Sequence, residues 1–388
     1  MKKRLVLLGA SGSIGRQTID VVLAHPRQFE IVALSVGHQI PVLEEILSRL
    51  AVSTVCVEEK SDAQRLQKQY PQIRFCAGDE GLETLAALRG YDVLVNALVG
   101  FVGFRPTLCA IRHHHDIALA NKETLVVGGE LITAAVRRYK VRLYPIDSEH
   151  SAIWQCLRGN EKKSVKRLII TASGGAFRKL PRSRLKGVTA AQALAHPTWT
   201  MGAKITIDSA TMMNKGFEVM EAHYLFDIPY DSIDVLMHDE SVIHSMVEYQ
   251  DHSVIAQLGA PDMRLPIQYA LSYPRRLPLA QEHPLDLAAI GTLHFHRADT
   301  HRYPLLGLAY QVGRRGGTLP AVMNAANEVA NLAFRQGIIS FTAVEDIIIA
   351  AVLNADCTPV RSPEDLEKAD AWGRAYATLL VEGEKHRK

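Results

Sequence analysis

Over roughly the first 145 residues, short runs of Val, Ile, Leu and Ala alternate with longer stretches whose apolar residues recur every three or four positions. That alternation predicts βαβ units and a parallel sheet. Strands are expected at Arg4–Leu8, Glu30–Ser35, Thr54–Val57, Val93–Ala97, Asp116–Ala118 and Arg142–Pro145, with helical stretches that include Gln17–Ala24, Pro41–Leu50 and Leu131–Tyr139. From Asp147 to Ser272 the pattern changes. Strands at Val165–Thr171, Ser232–Met237 and Val254–Leu258 are separated by glycine- and proline-bearing loops and one strong helix over Thr211–Phe226, which suggests a mixed α+β sheet. The proline-rich stretch Tyr273–Pro284 reads as a connector. Beyond about Arg302 the spacing is helical, at Leu305–Arg314, Leu319–Gln336, Phe341–Ala351 and Pro363–Val381. The expected α/β chain has a parallel-sheet domain at 1–146, an α+β domain at 147–272, a linker at 273–300 and a helical domain at 301–388.

A chain of 388 residues exceeds one ordinary core, and its 47% hydrophobic and 22% charged residues mark it as globular. The net charge of +3 is spread without long runs, so no nucleic-acid-binding tail is implied. Five cysteines, odd in number and without a Cys-x-x-Cys pair, fit a reducing cytoplasm. Lys2–Arg4 leads into an apolar run, Leu5–Leu8, too short for a signal core or a membrane span. The expectation is a cytoplasmic protein without a leader, a membrane contact or a nucleic-acid partner.

Three glycines at three-residue spacing, Gly9-Ala10-Ser11-Gly12-Ser13-Ile14-Gly15, follow the first strand and open the first helix. Gly9 and Gly12 permit a tight turn and close backbone approach, Gly15 lets the helix pack near the strand, and the helix N-terminus offers N–H groups to a pyrophosphate. This variant of the dinucleotide fingerprint makes the first domain Rossmann-like; a merely structural turn is the alternative. About twenty residues on, where an acidic residue would take the ribose diol, stands Ser35-Val36-Gly37-His38-Gln39. No carboxylate opposes a 2′-phosphate, so NADP is favoured over NAD, with an affinity expected to weaken as pH rises through the histidine range.

Asp147 and Glu149, two residues apart, point to one side of an extended chain and can share a cation. Asn214, Lys215 and Glu218 fall on one face of a helix. Three carboxylates suit Mg²⁺ or Mn²⁺. Taken alone, the first two also read as a solvated strand end and Lys215–Glu218 as a surface pair. Gly216 costs a helix about 1 kcal/mol relative to alanine, which suggests the close approach of a ligand or another backbone. Thr171–Phe177, with Ser173-Gly174-Gly175, is a phosphate cradle or a plain turn. Ala195–Gly202, carrying His196, Trp199 and Met201, is a lid or a loop anchored by a buried tryptophan. His113–His115 reads as a solvated turn.

These segments, in this order, resemble the 1-deoxy-D-xylulose 5-phosphate reductoisomerase family essentially end to end. Asn96–Gly100, Ala118–Glu123, Asp147–His150, His196–Gly202, Asp208–Glu218 and Asn324–Glu328 carry the likeness together with the glycine turn and Ser173–Gly175. The resemblance implies an NADP-binding first domain, a second domain for metal and substrate, and a helical domain that buttresses them, usually in a homodimer. It implies Asp147, Glu149 and Glu218 as ligands for Mg²⁺ or Mn²⁺, with Co²⁺ a further option. Ser148, Ser173, His196, Ser209, Asn214 and Lys215 would hold a sugar phosphate, joined by Lys122 and the carboxylates Glu149 and Glu218. Ser11, Gly12, Ser13, Ile14, Gly37, His38, Gln39, Asn121, Glu123 and Gly202 would serve NADPH. Glu149, Lys122 and His196 are the candidates for catalytic work. The implied reaction breaks and rejoins the substrate's carbon skeleton and reduces the resulting aldehyde to 2-C-methyl-D-erythritol 4-phosphate. Ser11 stands where the family commonly has threonine and keeps the hydroxyl; His38-Gln39 replaces a basic residue and asparagine, which weakens the expected NADP preference. Two rivals remain on the sequence: a metal-dependent NADP dehydrogenase of another hydroxy or keto phosphate, and a non-catalytic dinucleotide sensor.

Overall fold

The structure, a computed structural model, describes residues 2–279 and 284–385. Contacts divide the chain into two units, one of Met1–Thr124, Leu131–Ser151 and Asp262–Glu282, the other of Leu125–Glu130, Ala152–Pro261 and His283–Lys388.

In the first unit, β1 (Lys3–Leu8), β2 (Phe29–Ser35), β3 (Thr54–Val57), β4 (Arg74–Ala77), β5 (Val93–Asn96), β6 (Asp116–Leu119) and β7 (Leu143–Pro145) form one sheet. The order is β4-β3-β2-β1-β5-β6-β7 and every pairing is parallel. Leu5–Leu8 of β1 and Leu94 and Val95 of β5 have no exposed surface, as central strands covered on both faces require; this is why they read as unbroken apolar runs. The strand order reverses between β1 and β5. In open α/β sheets ligands bind at such a switch point, outside the carboxyl ends of the strands. Because all the strands run one way, the segments that follow β1, β2, β5, β6 and β7 line a single edge of the sheet.

Six of these strands agree with expectation to within a residue at each end. The seventh, β4, escapes the sequence because it is a short edge strand with an exposed arginine and three half-buried residues, so no apolar run marks it. The helix Arg264–Ser272, which no sequence signal marked, falls within the expected second domain and groups with the first unit. Lys3 Nζ donates to the Leu271 carbonyl at 2.5 Å and His25 Nε2 meets Gln268 Oε1 at 2.8 Å.

The second unit contains β8 (Val165–Ala172), β9 (Ile233–His238), β10 (Ile243–Tyr249), β11 (Val254–Leu258) and β12 (Phe295–Arg297), in the order β11-β10-β8-β9-β12. The β8–β9 pair is parallel and the others are antiparallel, the mixed sheet that was expected. β10 was missed because its fully buried run includes His244, Ser245 and Glu248 among the apolar residues. β12 falls within the expected linker yet pairs with β9, Phe295 opposite His238. Residues 280–283 of that linker lie outside the described residues. Helices Pro304–Arg315, Leu319–Arg335, Phe341–Asn354 and Pro363–Lys385 group with this sheet in one unit. Among the described residues no helix is long and apolar enough to cross a membrane.

Candidate active site

At the end of β1, Gly9 takes φ +81°, and a Cβ there would lie 2.6 Å from the Ala97 carbonyl oxygen. The loop after β1 thus rests on the loop after β5, at the switch point. Ser35 at the end of β2 holds it: the Gly9 N–H donates to Ser35 Oγ (2.9 Å) and the Ala10 N–H to the Ser35 carbonyl (2.8 Å). At Gly15 a Cβ would lie 2.2 Å from the Gly9 carbonyl oxygen, so helix Ser13–Ala24 starts hard against the strand. Gly12 differs. It is exposed and its Cβ would meet nothing nearer than Gly9 O at 3.5 Å. Ser13 is exposed, Ser11 and Ile14 are half-buried, and no acidic residue occupies the first helical turn. These features suit a pyrophosphate at a helix N-terminus.

Gly37, His38 and Gln39 leave β2 at the same edge, with both polar side chains exposed. Asn121, after β6, is buried; its amide nitrogen donates to the carbonyls of Leu98 (3.1 Å) and Gly100 (2.9 Å) and reaches Glu123 Oε2 at 3.1 Å. Its side chain therefore shapes the loop after β5 and ties it to helix Glu123–Tyr139.

The expectation that Asp147 and Glu149 share one side of an extended chain is corrected. β7 stops at Pro145 and helix Ser148–Cys156 begins directly after Asp147, whose carbonyl accepts from the Ser151 N–H at 2.8 Å. A short strand ends here and Glu149 in the first turn favours the helix dipole, so a helix start rather than a pleat gathers the carboxylates. Ser148 Oγ donates to Glu149 Oε2 at 2.5 Å. Lys122 Nζ lies 2.7 Å from Asp147 Oδ2, and His150 Nδ1 lies 3.8 Å from it. Burial raises the Asp147 carboxyl, but Lys122 and His150 beside it outweigh that and hold it well below the usual carboxylate range. It is an anion at any working pH.

In the second unit β8 runs into Ser173-Gly174-Gly175. Both glycines have positive φ, +77° and +66°, and a Cβ on Gly175 would lie 2.6 Å from the backbone of Ala210. This sharp turn leaves Ser173 Oγ 2.9 Å from His196 Nε2. His196 Nδ1 accepts the N–H groups of Thr198 (3.2 Å) and Trp199 (3.0 Å), so Nδ1 carries no proton and Nε2–H is the donor. Burial, then the charge of Arg178, lowers the ring from 6.5 to about 4. Between those values the unfolded chain binds the proton and the folded one does not, so stability falls as pH drops from 6.5 toward 4. A ring-proton NMR titration is expected to find His196 neutral down to about pH 4; a midpoint near 6.5 would refute the depression of its pKa by burial.

The segment 196–202 has no regular structure. Trp199 is half-buried and its ring faces His244 at 5.9 Å; Thr198 Oγ1 lies 3.4 Å from Ser241 Oγ. Gly202 is exposed and precedes helix Ala203–Thr211, which carries Ser209. That helix ends at Thr211, and a second begins at Met213 after the single residue Met212, where one helix from Thr211 was expected. Met212 has φ +62°. A left-handed non-glycine costs roughly 1–2 kcal/mol, offset here by packing against Ala172, Met237, Tyr303 and Leu306.

Beyond this break, Asn214, Lys215 and Glu218 share a face that is only 9%, 4% and 1% exposed. They are not a surface pair. Glu218 accepts from Asn214 Nδ2 at 2.5 Å and from Lys215 Nζ. Gly216 meets another helix as expected, a Cβ there lying 2.5 Å from Ala309 Cβ. The reading of His113–His115 as solvated also fails for His115, which is buried, stacks on Tyr91 at 3.6 Å and reaches the carbonyls of Tyr91 (3.0 Å) and Leu88 (2.9 Å). Sequence reasoning overlooked Ser35 as the prop of the glycine turn; its place at the end of the second strand was the available signal.

A glycine turn at the switch point of a parallel sheet, joined in one chain to a unit bearing buried lysine, amide and carboxylate groups, defines an α/β dinucleotide-dependent oxidoreductase. The family model described as 1-deoxy-D-xylulose 5-phosphate reductoisomerase matches residues 5–129; models of the C-terminal domains of that enzyme match 143–226 and 258–376. The chain is 51% identical over 380 residues to 1-deoxy-D-xylulose 5-phosphate reductoisomerase of Geobacillus sp. (strain WCH70), covering 98% of this chain and 100% of the relative. The structure of the Zymomonas mobilis enzyme in complex with NADPH is 38% identical with a TM-score of 0.91, covering 98% and 100% of the two chains. A reductoisomerase structure with NADPH, fosmidomycin and magnesium is 35% identical with a TM-score of 0.93, covering 98% of each chain. The chain belongs to the 1-deoxy-D-xylulose 5-phosphate reductoisomerase family.

Proposed function

We propose that this chain converts 1-deoxy-D-xylulose 5-phosphate to 2-C-methyl-D-erythritol 4-phosphate with NADPH, within the methylerythritol phosphate route to isoprenoid precursors. The observation that carries the reading is the buried polar face of Asn214, Lys215 and Glu218 in a family member. Lys215 and Glu218 are paired with each other, yet a buried ion pair returns little stability for its desolvation, so the helix keeps this polar face for the ligand it serves.

Residues 1–146 bind NADPH, with the pyrophosphate at Ser11–Ile14, the 2′-phosphate at Gly37–Gln39, and Asn121, Glu123 and Gly202 completing the site. Residues 147–272 hold metal and substrate, and 301–388 support them. The carboxylates Asp147, Glu149 and Glu218 are hard oxygen donors that fit Mg²⁺ or Mn²⁺, with Co²⁺ as a substitute. When bound, the ion supplies Lewis-acid stabilisation of developing oxyanions and NADPH supplies the hydride. Ser173, Ser209, Asn214 and Lys215 bind the phosphate, remote from the reacting carbons, so their binding energy orients the skeleton. His196 donates through Nε2–H, Lys122 holds Asp147 as an anion, and Ser148 and Glu149 face the substrate, Glu149 also standing as base. The enzyme works in the cytoplasm as a homodimer; the edge strand β11 exposes Val254 and Ile255, an apolar edge for a second copy to cover.

The test follows NADPH absorbance with 1-deoxy-D-xylulose 5-phosphate and Mg²⁺ or Mn²⁺. Oxidation is expected only with metal and to stop on adding a chelator, in a preparation whose light scattering gives twice the chain mass. Turnover of a simple ketose phosphate without rearrangement would favour the dehydrogenase rival instead.

A further inference from the structure

The residue before Ser209 is a buried carboxylate that the proposed chemistry does not use. Asp208 is 2% exposed. Its Oδ1 accepts from Asn327 Nδ2 (3.0 Å) and Asn331 Nδ2 (2.7 Å), both on helix Leu319–Arg335, and its Oδ2 accepts from Lys204 Nζ (3.0 Å) one turn earlier. Asn331 Nδ2 also reaches the Lys204 carbonyl at 2.9 Å, and Arg335 Nε fixes Asn331 from behind at 2.9 Å. Asn327 Oδ1 is buried without a hydrogen-bond partner among the described residues, so the bond to Asp208 is what justifies an amide there. Lys204 neutralises the carboxylate, so a phosphate one residue away meets no net repulsion.

This grip sits at a mechanically decisive place. Three residues after Asp208 the helix ends, and the left-handed Met212 redirects the chain into the helix bearing Asn214 and Lys215. Serine hydroxyl, amide and ammonium can converge on one phosphate only if the end of the first helix is fixed in rotation and depth. We infer that Asp208, clamped by Asn327 and Asn331, is a positioning residue that sets Ser209 for the substrate's phosphate. The inference rests on the phosphate role proposed for Ser209.

Asp208→Asn keeps the shape but turns one acceptor into a donor that faces donors. The value of kcat/KM for 1-deoxy-D-xylulose 5-phosphate is expected to fall about tenfold to a hundredfold, mostly through KM, as for a displaced positioning group. The NADPH dissociation constant stays unchanged. In a Ser209→Ala background the same replacement adds no more than about a twofold loss, because the two act as one unit. Additive losses, or an equal loss of NADPH affinity, would overturn the positioning role while leaving an impaired Ser209→Ala in support of the phosphate reading. A Ser209→Ala enzyme with unaltered KM would overturn both. If Asp208→Asn does not fold, Asn331→Ala removes a donor from the other helix and is read through the same cycle.

Discussion

Glu218→Gln is expected to lower metal-dependent NADPH oxidation by about a thousandfold or more, the several kcal/mol that a bound cation contributes at about 1.4 kcal/mol per factor of ten. The replacement keeps the volume of a side chain that is 1% exposed, so packing survives. It removes the negative charge that faces Lys215 and puts an N–H₂ where either Asn214 or Lys215 now donates. The proposed ligand set loses a full charge. NADPH binding, proposed to rest mainly on the first unit, should be unaltered when measured by fluorescence titration. An enzyme that binds NADPH and retains more than about a tenth of its turnover would remove Glu218 from the metal site, since one factor of ten is worth too little for a lost ligand.

The second large effect is expected at Gly15. Its missing Cβ would lie 2.2 Å from the Gly9 carbonyl oxygen and 2.6 Å from Ala10 Cα, and both are backbone atoms that no rotamer can move. Gly15→Val should cost about 3 kcal/mol or more, at the upper end for overpacking, and should abolish NADPH binding because the helix start and the turn are forced apart. Gly12→Ala is the informative partner. With only Gly9 O at 3.5 Å, its stability should stay within about 0.5 kcal/mol of the parent, yet a methyl group would stand where the pyrophosphate approaches. Denaturant melts and NADPH titration separate the two. A Gly12→Ala protein that binds NADPH as the parent does would sink the pyrophosphate reading of this turn.

Much of the first unit was visible in the chain because its signals are local. Apolar runs mark buried parallel strands, and a glycine triplet at a strand end is a statement about backbone. What escaped were elements whose identity depends on distant neighbours. β4 and β12 are edge strands with little apolar character, defined by their pairing with β3 and β9. β10 carries His244, Ser245 and Glu248 in a fully buried run, so its polar letters hid its place. The helix Arg264–Ser272 sits late in the sequence but groups with the first unit, which no local pattern could reveal.

For the site, the chain by itself determined which residue types are available and in what order: a glycine turn after the first strand, paired carboxylates, and later serine, asparagine and lysine, whose roles came from the family resemblance. Tertiary structure alone decided their states. It buried Lys215 and Glu218, which the sequence could read as a surface pair, and set Lys122 against Asp147 so that this carboxyl stays ionised. It fixed the tautomer of His196 through two backbone N–H groups and broke the expected single helix at Met212 by packing that sustains a left-handed residue. The division is physical: periodicity and turn chemistry act between neighbours in the chain, whereas desolvation, ionisation and tolerated strain are set by atoms that only folding brings near.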